Sequence, residues 1–76
     1  MAEDFSFSIE KQFGVISTNA KTGWSLELNR ISWSGRPSKF DIRSWNSDHT
    51  KMGKGITLSD DELFSLKGLL NQIADI

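Results

Sequence analysis

Phe5, Phe7 and Ile9 alternate with Ser6, Ser8 and Glu10, and a period of two predicts a strand with one face buried. The apolar pattern runs on through Phe13, Val15 and Ile16, with Gly14 marking a bulge or a strong bend. Asn19-Ala20-Lys21-Thr22-Gly23 reads as a turn. A second strand follows, with Trp24, Leu26 and Leu28 on one face and Ile31 and Trp33 on the other. The change of parity between Leu28 and Ile31 predicts a bulge or twist that moves burial across this strand. After the hairpin loop Ser34-Gly35-Arg36-Pro37-Ser38, a third strand sets Phe40 and Ile42 on one face. Lys39, Asp41, Arg43 and Trp45 occupy its opposite, outward face. Asn46 to Thr50 turn again, and Lys51 to Leu58 form a short fourth strand loosened by Gly53 and Gly55.

The helix has the sharpest boundary. Ser59 is an N-cap with Glu62 three residues on, the capping box, and Leu58 is placed to staple to Leu63. Asp60, Asp61 and Glu62 complement the positive end of the helix dipole. Leu63, Leu66, Leu70 and Ile73 then repeat at spacings of three, four and three, an apolar stripe that Phe64 and Leu69 widen. With no internal repeat and no low-complexity linker, the order β-β-β-β-α makes one α+β domain over residues 1–76.

Such a domain buries only about 60% of the surface its unfolded chain exposes. Small domains add disulfides, a metal or a partner subunit. The chain has no cysteine and one histidine, His49, which leaves self-association; a homodimer is expected, and neither a metal nor a cofactor is. The wide apolar helix surface points the same way, and Leu66, Leu69, Leu70 and Ile73 are assigned to the subunit interface. No apolar run approaches the roughly 18 residues of a membrane span, and the start Met1-Ala2-Glu3-Asp4 is acidic where a signal peptide is basic. The expected location is the cytoplasm, with nucleoid association as an alternative.

The formal net charge of −1 conceals an uneven distribution. Seven of the ten acids, Glu3, Asp4, Glu10, Asp60, Asp61, Glu62 and Asp75, lie near the ends. Between Asn19 and Gly55 the bases Lys21, Arg30, Arg36, Lys39, Arg43, Lys51 and Lys54 face only Glu27, Asp41 and Asp48, seven against three for a balance of +4. A basic middle between acidic ends suits a polyanionic partner. Three tryptophans stand in the same chain. Trp24, in phase with Leu26 and Leu28, is expected in the core. Trp33 and Trp45 sit where strands meet polar loops, and Trp45 shares its phase with Lys39 and Arg43. A cation and a ring on one strand suit a single-stranded nucleic acid, whose unstacked bases gain about 1–3 kcal/mol each on an aromatic platform. The nucleic-acid-binding set is therefore Lys21, Arg30, Trp33, Arg36, Lys39, Arg43, Trp45, Lys51 and Lys54. Gly53-Lys54-Gly55 is no phosphate loop, because the earlier glycine of that motif falls on Asp48. His49 is expected to be a plain loop residue, and no acid–base pair presents itself, so the chain is read as having no enzymatic activity.

Phe40-Asp41-Ile42-Arg43 followed by Trp45, a polar turn and Gly53-Lys54-Gly55-Ile56-Thr57-Leu58 entering a capped helix resembles the core of the positive-cofactor-four family of transcriptional coactivators. Over its length the chain is similar to the bacterial YdbC branch of that family. The resemblance implies a curved four-stranded antiparallel sheet with one C-terminal helix, paired into a symmetric dimer that binds single-stranded DNA with little sequence preference. Arg43 and Lys54 match family motif positions; Trp45 falls within the aromatic pair after the family's arginine, with Asn46 replacing a second ring; Trp33 is placed like a family stacking aromatic. The long serine- and lysine-rich N-terminal extension of the eukaryotic coactivators is lacking. The alternatives are a dimeric protein-interaction module and an RNA-preferring binder, since stacking does not inspect the sugar.

Overall fold

The computed structural model describes residues 6–73. Phe5, the N-terminal acids Glu3 and Asp4, and Asp75 lie outside the described residues. Four strands, β1 (Phe7–Thr18), β2 (Ser25–Trp33), β3 (Lys39–Trp45) and β4 (Met52–Leu58), precede one helix, α1 (Asp60–Asn71). The strands pair in chain order as a single antiparallel sheet, so the expected β-β-β-β-α architecture is present.

Each connection has a local cause. At the β1–β2 turn the Asn19 side chain accepts the amides of Lys21 and Thr22, and Gly23 takes φ of 80°, a conformation open to glycine. At the β2–β3 hairpin Ser34 and Gly35 both have positive φ, and the Arg36 amide donates to the Trp33 carbonyl at 2.9 Å. Two left-handed residues in succession match the twist of the flanking strands. The β3–β4 loop is closed from both sides: the Asn46 amide donates to the Lys51 carbonyl at 3.1 Å, and the Lys51 amide donates to Asn46 Oδ1 at 2.9 Å. Within it the Thr50 hydroxyl, and then its amide, hold the Asp48 carboxyl below its ordinary pKa. The helix begins with the expected capping box: the Glu62 amide donates to Ser59 Oγ at 3.1 Å and the Ser59 amide to Glu62 Oε1 at 2.8 Å.

Two sequence expectations are corrected. The parity change assigned to β2 does not occur there: β2 and β3 pair in unbroken register from Ser25–Trp45 to Ile31–Lys39. The irregularities sit instead in β1, with shifts at Ile9/Lys11, Gln12/Gly14 and Val15/Ser17, and bulges of this kind bend the strand that carries them. The buried face is also the opposite one. Glu27, Asn29 and Ile31 of β2 and Asp41 and Trp45 of β3 are buried, whereas Leu26, Leu28, Phe40 and Ile42 are only half-buried. Trp45 is thus inward and fully covered rather than outward. Its ring contacts Phe7 at 5.3 Å and His49 at 5.5 Å between centroids. Trp24, expected in the core, is half-buried beside Gly53.

The half-buried leucines and isoleucines belong to the other face, over which α1 lies. α1 buries none of its residues: Phe64 is 75% exposed, Leu69 60% and Leu70 46%, and Ile73 just beyond it is 47% exposed. Ile16, Leu28, Ile42, Leu63, Leu66 and Leu70 line a groove of about 370 Å³ between helix and sheet. Arg30 fastens the helix start to this face. Its Nη1 donates to Asp60 Oδ1 at 3.0 Å, its Nε and Nη2 donate to Ser38, and its guanidinium lies 4.7 Å from the centre of the Phe40 ring.

Among the described residues Ile31 and Trp45 are the fully buried apolar side chains. With so small a core, deleting one large ring leaves a void that little else fills. Trp45→Ala is expected to destabilise the fold by about 3–5 kcal/mol, read in urea as a lower transition midpoint at unchanged slope; a midpoint within error of the parent contradicts the burial.

Candidate nucleic-acid interface

The face opposite α1 is built by β2 and β3 in register. Glu27 stands across from Arg43, and Asn29 stands across from Asp41. Asp41 has no exposed surface, and burying a carboxylate is costly unless it is fully hydrogen-bonded. Here it is. Arg43 donates from Nε to Oδ1 at 2.6 Å and from Nη2 to Oδ2 at 2.9 Å, and the Thr57 hydroxyl donates to Oδ2 at 3.0 Å. This two-pronged geometry fixes the plane of the guanidinium. Its remaining nitrogen, Nη1, donates to the Gly53 carbonyl at 3.3 Å and lies 3.6 Å from Met52 Sδ. Held this way, the Arg43 guanidinium sits 5.0 Å from the centre of the Trp33 ring, within cation–π range. Phe7 packs on the far end of the same cluster, 6.0 Å from Trp33 between ring centroids.

β4 must lie close for this arrangement to form. Gly55 is the register partner of Arg43. A Cβ at Gly55 would overlap Arg43 Cβ and the Ile42 carbonyl oxygen and lie 2.8 Å from Arg43 Cα. The glycine expected to loosen the fourth strand instead allows its closest approach.

A second polar pair lies beside the first. Glu27 is buried, accepts from Asn29 Nδ2 at 3.2 Å, and places its two carboxylate oxygens 2.9 and 3.0 Å from His49 Nε2. His49 is a loop residue as expected, yet its ring reaches into the sheet. Among the described residues, Trp45 Nε1 and Asn29 Oδ1 are buried without a hydrogen-bond partner. Each costs about 1–3 kcal/mol that the packing around it must offset.

The nine sequence-assigned residues separate into three groups. Trp33 and Arg43 meet on this face, half-buried and stacked. Lys21, Arg36, Lys39, Lys51 and Lys54 are exposed: Lys21, Arg36 and Lys51 on or beside the three connections, Lys39 on this face opposite Ile31, and Lys54 on the edge strand β4. Arg30 and Trp45 join neither group. Arg30 alternates to the helix side and is held by Asp60 and Ser38, and Trp45 is covered. The sequence pattern sets Asp41 on one face with Lys39 and Arg43, but it does not assign Glu27, His49 and Phe7 to this face. The available signal was phase, since Glu27 and Asn29 share the parity of Ile31 and Trp33, but polar residues interleaved with Leu26 and Leu28 read as the solvent side.

Residues 20–69, from the first turn through most of α1, match the family model for Transcriptional Coactivator p15 (PC4). The chain belongs to the PC4 family. It is also similar to an uncharacterized protein of Treponema pallidum (strain Nichols), with 49% identity over 72 residues covering 95% of this chain and 84% of the other. The matched PC4 region contains Asp41, Arg43, Trp33 and Gly55, the parts of the polar face described above, whereas β1 lies outside it. PC4 membership carries nucleic-acid binding and a coactivator-like role as the general function of such a chain. No helix among the described residues is long and apolar enough to cross a membrane.

Because Asp41 is the main acceptor for Arg43, Asp41→Ala leaves a largely buried guanidinium without its counter-charge. The expected loss is about 3–5 kcal/mol of stability, measured by chemical unfolding. A loss below about 1 kcal/mol would show the guanidinium finding water or another acceptor.

Proposed function

We propose that this PC4-family chain is a non-catalytic single-stranded DNA-binding protein of the YdbC-like bacterial branch, folding as one domain over residues 1–76 and acting in the cytoplasm as a symmetric homodimer. The observation that carries the reading is the Trp33–Arg43 pair. A ring held half-open at a hairpin, with a guanidinium locked against it by a buried carboxylate, offers bases a preformed surface. Stacking on it tolerates every base, which accords with binding of little sequence preference. The exposed cations Lys21, Arg36, Lys39, Lys51 and Lys54 supply phosphate contacts and the counterion release that drives such binding. Arg43 acts chiefly by positioning, because its charge is already met by Asp41. Trp45 reaches the platform through Phe7, whose ring lies 5.3 Å from Trp45 and 6.0 Å from Trp33 between centroids. The similarity to a Treponema protein over 95% of the chain supports a bacterial branch.

The dimer reading rests on the opposite face. Leu66 and Leu70 line an apolar groove that this chain leaves open, and Leu69, Leu70 and Ile73 are exposed near it in sequence. A second copy pairing its own helix there buries both surfaces about a two-fold axis and leaves the two polar faces free for DNA.

Fluorescent oligothymidine titrated at several salt concentrations tests the binding reading. Trp33→Ala is expected to weaken binding by about 1–3 kcal/mol at an unchanged salt slope, and Lys54→Ala to lower the slope by about one unit. Absence of salt-dependent binding by the parent overturns the proposal, and tighter binding of a matched RNA oligomer reassigns the partner to RNA.

For assembly, Leu70→Asp should abolish the dimer in sedimentation and lower apparent stability with it, since the partner stabilises the fold by mass action. A parent that sediments as a folded monomer at micromolar concentration removes the dimer and leaves the stacking surface to be judged separately.

A further inference from the structure

His49 adopts φ of 60° in the loop between β3 and β4, a left-handed conformation that residues with a Cβ rarely take. Its own side chain supplies the reason. Nε2 lies 2.9 and 3.0 Å from the two carboxylate oxygens of Glu27, a contact that requires the proton on Nε2. Glu27 is 6% exposed and is held in place by the Asn29 amide, so the acceptor belongs to the rigid sheet. The imidazole also packs 5.5 Å from the buried Trp45 ring. Arg43, across from Glu27 on β3, is engaged by Asp41, and the β1 partner of Glu27 is the uncharged Val15. His49 is thus the only basic group that the described residues direct at this carboxylate.

The loop that His49 pins to the sheet carries Lys51. The His49 amide donates to the Asn46 carbonyl at 3.1 Å, and both backbone groups of Lys51 are tied to Asn46. The Lys51 side chain is exposed. Its backbone is therefore anchored through Asn46 and His49 to the buried pair beneath.

We propose that His49 is a positioning residue for nucleic-acid binding: its clamp on Glu27 holds the β3–β4 loop so that Lys51 presents its ammonium to a backbone phosphate. This rests on the single-strand-binding reading above and adds to it a residue that touches no nucleic acid. An unanchored loop would have to be ordered with each binding event, and the clamp removes that cost before the strand arrives.

The test is a double-variant cycle read in the salt dependence of oligothymidine binding. His49→Gly removes the ring while leaving the left-handed backbone accessible. It is expected to lower the salt slope by about one unit, so that its affinity deficit shrinks about fourfold between roughly 50 and 200 mM salt. The loss of affinity caused by Trp33→Ala is expected to be the same in this background as in the parent. Lys51→Ala should give the same loss of slope, and the double variant should lose no more than either single one. His49→Gln, whose amide still donates to Glu27, should recover part of the slope. If His49→Gly does not fold, Glu27→Gln weakens the clamp from the acceptor side at unchanged shape and enters the same cycle. A parental slope in the clamp variant, additive losses in the double variant, or a parental slope in Lys51→Ala each overturns the proposal. In all three cases the parent still binds in a salt-dependent manner, which separates this failure from that of the single-strand-binding reading, where the parent itself would show no such binding and both proposals would fall.

Discussion

The carboxylate of Asp41 is fully buried in a small open sheet, and most of the architecture follows from satisfying it. Its acceptor sites are taken by two nitrogens of Arg43 on its own strand and by the hydroxyl of Thr57 on the next. The Thr57 contact sets the register of β4 against β3, and that register puts Gly55 opposite Arg43, where a side chain would collide. The Arg43 contact sets the guanidinium plane and lays it over Trp33 on β2. Three strands and the candidate stacking surface are thereby tied to one carboxylate. A buried ion pair adds little net stability over a well-packed apolar alternative, because desolvation offsets the attraction. What it supplies here is geometry: one register, one guanidinium orientation and one ring held in a defined place.

The two faces of the sheet solve the burial problem differently. The polar face closes on itself through paired charges, Trp45 and the His49 loop. The apolar face has the residues of a core but not enough covering for it, since α1 leaves its own leucines exposed and a groove beneath. In a domain of this size the surface available to bury is limited, and the chain concentrates its complete packing on the polar side. On the proposed reading, assembly falls to the helix side and recognition to the other. Arg30 is the link along the helix side, joining β2 and the β2–β3 loop to the start of α1, so a basic residue from the middle of the basic segment is engaged within the chain.

The turn signals, the capping box, the order of the elements and the glycine in β1 were legible from the chain alone, because each depends on neighbours a few residues away: Asn19 on Lys21 and Thr22, Ser59 on Glu62, Ser34-Gly35 on the twist of their own strands. The motif from Phe40 to Leu58 also pointed correctly to the PC4 family. The exposed lysines were located by composition and spacing, and the meeting of Arg43 with Trp33 was implied by their separate candidacies without being visible in either. The direction of burial was not legible. Hydrophobicity sorts Leu26 and Leu28 inward and Glu27 and Asn29 outward, and that rule fails when the polar residues have partners and the leucines lack a cover. Whether Trp45 is a surface ring or a core ring was decided by Phe7 from the start of the chain and His49 from the following loop. Whether Arg30 or Lys51 remains free was decided by Asp60 in a helix thirty residues on and by the fold of a six-residue loop. Backbone conformation is a local choice, and the sequence determines it locally; the exposure and charge state of a contact surface is a sum over residues brought together from distant positions, and only the tertiary structure performs that sum.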